Sequence, residues 1–444
     1  MITYALAAKL FESFSILRWN DRLRPIEIIE IDHHAIKSML TYFLGKCSEY
    51  STKAPKQINW RRIVDVNILD FLSKIATSDI QSRVREELRK ETAFSKFVCD
   101  SWRNPSFHLD KTILDSLKKY LSPENDDSIE YKILRFSHKY TTSREFKVIE
   151  SFSMPCSDLT GISNSINRHV DESIHSSFKR EAMDLRDENW TWLPNIIGMI
   201  ERLRFQTRWS QTPRIPPTSV LGHSMYCAVL AYFLSIEIRY KGKKLSNEQV
   251  VNNFYAALFH DLPEAISRDI ISPVKKSSDI IEKLVAKIEK DLCEKNIMSQ
   301  IPERWQSHFR FITGQMCPNE ETLNNTQLDT CTVPYKKQKD EFIKHGEFSN
   351  RIISKDDKYT IVPWGCDKSP YSEPMEDYIG QSGLDGKLLK VCDNIAAFME
   401  ARMSLQHGIR SPHLDNGLSN SIHACKGTRL YNLNVVDFFD SITF

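Results

Sequence analysis

The densest set of residues able to do chemistry is His260-Asp261-Leu262-Pro263-Glu264, continuing through Asp269 to Ser272-Pro273-Val274-Lys275. It follows the apolar run Phe254-Tyr255-Ala256-Ala257-Leu258-Phe259, so an imidazole and a carboxylate stand at the end of a core-like segment. Burying two ionisable side chains is costly unless something pairs or coordinates them. A divalent metal does so, since imidazole nitrogen and carboxylate oxygen are ordinary ligands for Zn, Mn, Fe or Co. A lone His-Asp pair also arises where a helix simply ends, and by itself it permits either reading.

Two further segments have the same character. Gly222-His223-Ser224 opens the apolar stretch Met225 to Ile236, and Asp393 interrupts Leu388 to Phe398. Three apolar helices are thus expected to carry polar interruptions in the order His, His-Asp, Asp. Two imidazoles and two carboxylates leave positions open on a six-coordinate cation for a water and a phosphate oxygen, the arrangement that serves phosphoester hydrolysis. Glu264 lies three residues beyond Asp261, a helical spacing that places it on the same face to orient the water or pass a proton. Arg208 offers a planar donor fork suited to phosphate oxygens, and Trp209 a flat wall for a sugar or base.

The string His260-Asp261, Glu264, Asp269, Ser272-Pro273-Val274-Lys275, with His223 before it and Asp393 after it, resembles the HD-domain metal-dependent phosphohydrolases. Within them it is most similar to the bacterial 5′-deoxynucleotidase branch. The resemblance implies one divalent ion (Mn, Co, Fe, Ni, Zn or Mg) on His223, His260, Asp261 and Asp393, with Glu264 and Asp269 in catalysis. It also implies that Arg208 binds phosphate, that Trp209 crowds the ribose 2′ position to select deoxyribose, and that Asp269 contacts the sugar hydroxyl. Ser272 and Lys275 are expected to add phosphate contacts. The implied substrate is a deoxynucleotide, as monophosphate or triphosphate, because the same ligand set serves both in related families. A doubled architecture, where single-domain nucleotidases manage with half this length, tips the expectation slightly toward a regulated dNTP phosphohydrolase with an effector nucleotide, in pool control or, by analogy alone, antiviral defence. The alternatives are a dNMP-specific 5′-deoxynucleotidase and, from a different class, a nucleotide-binding sensor that signals to a partner protein. A cyclic-nucleotide or (p)ppGpp phosphohydrolase is a third possibility. A homo-oligomer, dimer or higher, is the assembly expected.

The elements that must position these residues are helical. Gly is scarce at 14 in 444 residues while apolar-periodic segments are plentiful, so the fold class expected is all-α. The length suggests two domains. Arg18/Arg208, Trp19/Trp209, Arg24/Arg214, His33/His223, Tyr42/Tyr232, Leu72/Leu262, Asp79/Asp269, Ser82/Ser272 and Val84/Val274 all differ by 190 positions, which reads as two tandem HD-type units. The expected layout is a degenerate domain over 1–150, a linker or connecting helix over 151–195, and a catalytic domain over 196–444 with an insertion near 316–385. The first copy is degenerate because Asp70, Phe71 and Lys74 stand where the second has His260, Asp261 and Glu264, and His138 corresponds to Asp393. It is expected to hold no such metal. It keeps Arg18, Trp19, His33 and Asp79, which suggests either a structural pseudo-domain or a regulatory nucleotide site. His34 has no assigned role.

Balanced charge, 60 Lys and Arg against 58 Asp and Glu, argues against a protein that coats nucleic acid. Ten scattered cysteines without a C-x-x-C pair suit a reducing compartment. No basic leader opens the chain, and no apolar stretch is expected to be long enough for a membrane span, so a cytoplasmic location is expected.

Overall fold

Long apolar segments punctuated by Ser, Asn and Asp caps set the architecture, and the computed structural model is accordingly built from helices. It describes residues 2–51, 55–122, 126–154, 157–241, 245–268, 278–313, 351–355, 358–362, 383–431 and 433–442. The helices pack into two compact units. The first comprises Thr3–Phe205 with Pro216–Met225; the second comprises Met1–Ile2, Gln206–Ile215 and Tyr226–Phe444.

In the first unit, α1 (Tyr4–Phe11) is followed by α2 (Glu30–Glu49) and α3 (Trp60–Thr77). Then come α4 (Ser82–Leu88), α5 (Thr92–Asp100), α6 (Lys111–Leu121) and α7 (Ile129–Phe152). The unit closes with α8 (Ser157–Glu172), α9 (Lys179–Arg186) and α10 (Trp192–Arg202). Helix α2 is the core of this unit: it is buried along nearly its whole length and packs on α3, α7 and α10. Residues 151–195, expected as a linker or connecting helix, include α8, α9 and the start of α10 and group with the first unit, which runs to Phe205.

The second unit contains α11 (Val220–Tyr240), whose first turns group with the first unit, then α12 (Asn247–Phe259) and α13 (Glu264–Ser267). It continues with α14 (Asp279–Asn296), α15 (Glu303–Ile312), α16 (Gly386–Gln406), α17 (Pro412–Cys425) and α18 (Val436–Asp440). The insertion expected near 316–385 is described only in part; 314–350, 356–357 and 363–382 lie outside the described residues. Its described part is a small antiparallel sheet, order β2-β1-β3, made of β1 (Arg351–Lys355), β2 (Lys358–Val362) and β3 (Gly383–Asp385). Arg351 sits opposite Val362 on one side and Asp385 on the other. A two-residue ladder, β4 (Arg429–Leu430) with β5 (Leu433–Asn434), is a further departure from helix among the described residues.

One expectation fails on length. Helix α11, at 21 residues, is apolar enough to cross a membrane, but 94% of its most apolar stretch is buried inside the protein. Its hydrophobicity is that of a core helix, apolar all round because neighbours surround it.

A single amide ties the helices of the second unit together. Helix α12 opens with a capping box, Ser246 Oγ accepting from Gln249 N–H while the Gln249 side chain accepts from Ser246 N–H. Farther along α12, buried Asn253 donates from Nδ2 to Ser235 Oγ on α11 at 3.1 Å. Its Oδ1 accepts from the Asp385 N–H at 2.8 Å. Asp385 in turn caps α16, its Oδ1 accepting from Lys387 and Leu388 N–H. One side chain thus fixes the start of α16 against α11 and α12.

Asn253→Ala leaves a buried hydroxyl and a buried amide N–H short of a partner, so unfolding free energy should fall by about 2–4 kcal/mol. Ser235→Ala, which strands a single N–H, should cost less than half as much. Urea titration of the two variants checks this; equal losses would show that Asn253 holds nothing beyond Ser235.

Candidate metal centre

His260 follows the last residue of α12, and the chain then turns tightly, Leu262 N–H donating to Phe259 O and Glu264 N–H to Asp261 O. The helix expected to carry Asp261 and Glu264 on one face is therefore broken between them, with Pro263 preceding α13. The three-residue return still leaves Glu264 buried, with its carbonyl accepting from Gln206 Nε2 at 2.9 Å. His260 Nδ1 lies 2.7 Å from Ala257 O. A proton on Nδ1 makes that bond, and Nε2 then faces Asp261 Oδ2 at 3.2 Å.

His223, Cys227, His260 and Asp393 each bring one ligand atom to within 4.8 Å of all the others. His223 and Cys227 lie one turn apart on α11 and are buried; His260 and Asp393 are half-buried. Two imidazoles, a carboxylate and a thiol in that space suit a divalent transition ion. Asp261 stands at the edge of the group, its Oδ2 3.2 Å from His260 Nε2 and 3.7 Å from Arg208 Nη1. Lys390, one turn before Asp393 on α16, donates to Asp393 Oδ2 at 2.8 Å. Cys227 was not legible as a candidate because a thiol reads as one more apolar residue in Met225 to Ile236. Its spacing of four from His223 was the available signal.

Arg208 and Trp209 meet on Glu400, two turns beyond Asp393 on α16. Arg208 Nε lies 3.2 Å from Glu400 Oε1, and Trp209 Nε1 donates to Oε2 at 2.7 Å. Burial opposes the charge on Arg208, yet Glu400, then Asp261, Asp393 and Glu264, raise its pKa. Trp209 adopts φ +58°, a left-handed conformation that costs a bulky residue about 1–2 kcal/mol. The indole packs against Gly417 of α17 so closely that a Cβ there would come within 2.2 Å of the ring. Glu400 was not singled out from the sequence; its signal is the seven-residue, two-turn spacing from Asp393. The remaining expected positions, Asp269, Ser272 and Lys275, lie outside the described residues.

The first unit arranges the corresponding positions differently. Arg18 and Trp19 meet on Glu145, Arg18 Nε donating at 2.9 Å and Trp19 Nε1 at 3.2 Å, and Trp19 has φ +56°. Glu145 lies seven residues beyond His138, as Glu400 lies beyond Asp393. Arg18 also donates from Nη1 to Glu30 Oε2 at 2.7 Å. His33 sits 3.0 Å from Glu145 through Nδ1 and 3.0 Å from His138 through Nε2. Lys37 Nζ donates to Asp70 Oδ2 at 2.6 Å, and Tyr120 Oη donates to Asp70 Oδ1. Asp79 accepts from the Trp19 backbone N–H, and burial raises its pKa. Arg18, Trp19, His33 and Asp79 are therefore brought together, but the Arg18 fork is engaged by two buried carboxylates. His34, left without a role, is buried beside Glu30 and Phe71.

The family model for 5′-deoxynucleotidases of the YfbR-like kind matches residues 195–332. A 5′-deoxynucleotidase of Vibrio parahaemolyticus is 30% identical over 138 residues, covering 31% of this chain and 69% of that protein. A 5′-deoxynucleotidase of Vibrio vulnificus is 29% identical over 138 residues with the same two shares. A 4′-phosphooxetanocin A phosphatase of Priestia megaterium is 31% identical over 87 residues, 19% of this chain and 43% of that protein. No solved structure matches the chain. The matched family stretch includes Arg208, Trp209, His223, His260, Asp261 and Glu264, and ends before Asp393.

The first-unit cluster makes stability depend on pH. Burial holds His33 and His138 well below the usual imidazole range and His34 down to about 3; next in weight are the charges of Arg18 on His33 and Lys37 on His34, and the His33 ring on His138. Burial pushes Asp32 the other way, up to about 6, against the opposing pull of Arg204. Unfolding lets three imidazoles take up protons as pH falls below about 6.5, so their contribution is present above that value and is lost on acidification. Asp32 has the opposite sign between about 6 and 4, but one carboxyl does not offset three imidazoles. The urea midpoint should therefore fall from pH 7 to pH 5, each net proton contributing about 1.4 kcal/mol per pH unit. Asp32→Asn should raise the midpoint at pH 7 and lose that advantage by pH 4. A midpoint that is level or rises on acidification would contradict the assignment of buried neutral imidazoles.

Proposed function

Because this chain belongs to the YfbR-like 5′-deoxynucleotidase family of HD-type hydrolases, we propose that it removes the 5′-phosphate from deoxynucleoside monophosphates. The observation that carries this reading is the ligand group of buried His223 with half-buried His260 and Asp393, with Asp261 and the Arg208 guanidinium at its edge. The monophosphate reading takes precedence over the regulated triphosphate reading because the matching relatives are named 5′-deoxynucleotidases. The length argument for a triphosphohydrolase also loses weight, since the Arg18 fork that was to hold an effector is engaged by Glu30 and Glu145. We read the first unit as a structural one.

The ligand set fits a divalent ion, which when bound supplies Lewis acidity and a more acidic water. The protein's own groups do the rest. Glu400 fixes the Arg208 guanidinium through Nε, so its η nitrogens are set beside the metal group to receive phosphate oxygens. Glu264, whose charge acts on Arg208, accepts the proton of the attacking water in this reading. Trp209, locked by Glu400 and Gly417, forms the wall against the sugar and excludes a 2′-hydroxyl. Asp269, Ser272 and Lys275 complete the sugar and phosphate contacts in this reading.

Metal-reconstituted protein should release phosphate from dNMPs, with NMPs and dNTPs poorer substrates by kcat/KM. Asp261→Ala should reduce turnover by roughly 100-fold or more. A phosphate-release panel with nucleotides offered singly and in pairs tests this. Equal activity in Asp261→Ala, or no release from any dNMP, would remove the reading. Breakdown of dNTPs only when a second nucleotide is present would restore the regulated triphosphate reading.

A further inference from the structure

We propose that Cys227 is a ligand of the metal centre, so that this chain binds its ion through a thiolate as well as imidazole and carboxylate. The inference rests on the HD-type metal reading and adds to it a group outside the His, His-Asp, Asp pattern.

Three observations carry it. Cys227 is one turn beyond His223 on an unbroken helix, and residues four apart share a helical face. Its Sγ lies within 4.8 Å of ligand atoms of His223, His260 and Asp393. The third comes from the first unit. Lys37 stands 190 positions before Cys227, as Asp70 stands before His260 and His33 before His223. There the Lys37 side chain, 2% exposed, runs inward to bond Asp70. The side chain at this helical position therefore points at the residue in the His260 place in a second, separately packed example. One example puts an ammonium against a carboxylate; the other puts a thiol beside an imidazole.

A buried cysteine most often acts as a small hydrophobe, and a cysteine on the far side of α11 would carry no more than that. This one lies among three metal-ligating groups, where its sulfur becomes a soft ligand on losing its proton to solvent as the ion binds. The consequence is selectivity. Thiolate favours zinc, cobalt and iron, whereas magnesium requires oxygen ligands.

Full-length protein stripped with a chelator and reloaded with Co(II) gives a readout independent of turnover. One cobalt per chain should produce a thiolate-to-cobalt charge-transfer band in the near ultraviolet. Cys227→Ser and Cys227→Ala should lose the band, and the neighbouring Cys392→Ser should keep it. Zinc affinity, read by competition with a chromophoric chelator, should fall by about tenfold or more in Cys227→Ser, the order lost when even a ligand-supporting group is removed. Magnesium affinity should not change. His260→Ala separates the two levels of the argument, because it should abolish stoichiometric cobalt binding altogether. Cobalt bound by the wild type and lost in His260→Ala, but with no sulfur band or with a band that survives Cys227→Ser, overturns the thiolate and leaves the metal centre standing. Cobalt binding unaffected by His260→Ala, or absent from the wild type, overturns both.

Discussion

A buried carboxylate cannot stand in a helical core without donors, and in each unit one such carboxylate decides where an Arg-Trp pair goes. Glu400 is 1% exposed and Glu145 fully buried. Each accepts from an arginine Nε and a tryptophan Nε1. An unpaired buried charge costs several kcal/mol after relaxation, more than the strain of holding a tryptophan in the left-handed region. The ion pair therefore wins, and the turn that carries the tryptophan is pinned to the helix that carries the distal ligand position. In the second unit this sets Arg208 beside Asp261. The Arg208 guanidinium is thus positioned by the same helix that supplies Asp393.

The second constraint is alignment of the ligand helices, and it too depends on a polar group in an apolar place. Asn253 lies on α12, seven residues before His260, and reaches both Ser235 on α11 and the cap of α16. Hydrophobic packing alone lets helices slide and rotate at small cost. A fully satisfied amide among three of them does not, because any slip strands buried donors. Asp385 then adds the directional element, capping α16 so that Asp393 lies two turns in from a fixed end.

Much of this was legible where chemistry contradicts pattern. His223, His260 and Asp393 stood out because each is polar inside an apolar helix, and those three do converge. Cys227 fits the apolar pattern and was invisible for that reason. Glu400 and Glu145 were missed because a carboxylate in a helix is ordinarily a solvent-facing residue, and nothing local marks which way it faces. The 190-residue spacing carried more than residue identity. Helices α2 and α11 begin at Glu30 and Val220, α3 and α13 end at Thr77 and Ser267, and Ser78 and Arg268 both follow with positive φ. Over 151–195 composition alone does not distinguish an exposed loop from a run of short capped helices, and the structure has α8, α9 and the start of α10 there.

Formal charge explains why similar backbone geometry can carry different chemistry in the two units. In the first, Arg18, Lys37 and Lys74 face Glu30, Asp70 and Glu145, with Arg204 also on Glu145 and Arg85 near Asp70. In the second, Asp261, Glu264, Asp393 and Glu400 face Arg208 and Lys390, with Arg214 also acting on Glu400. The difference arises at matched positions: Phe71 for Asp261, Lys74 for Glu264, Lys37 for Cys227 and His138 for Asp393. These exchanges remove a negative or potential anionic group or add a cation, while Asp70 in the place of His260 adds an anion. The first unit neutralises itself with its own side chains, so its buried charges hold one another. The second keeps Asp261, Glu264 and Asp393 where the first has Phe71, Lys74 and His138, around a group of two buried and two half-buried side chains. Carboxylates set so close repel one another, and a divalent cation at the group His223, Cys227, His260 and Asp393 would relieve that repulsion.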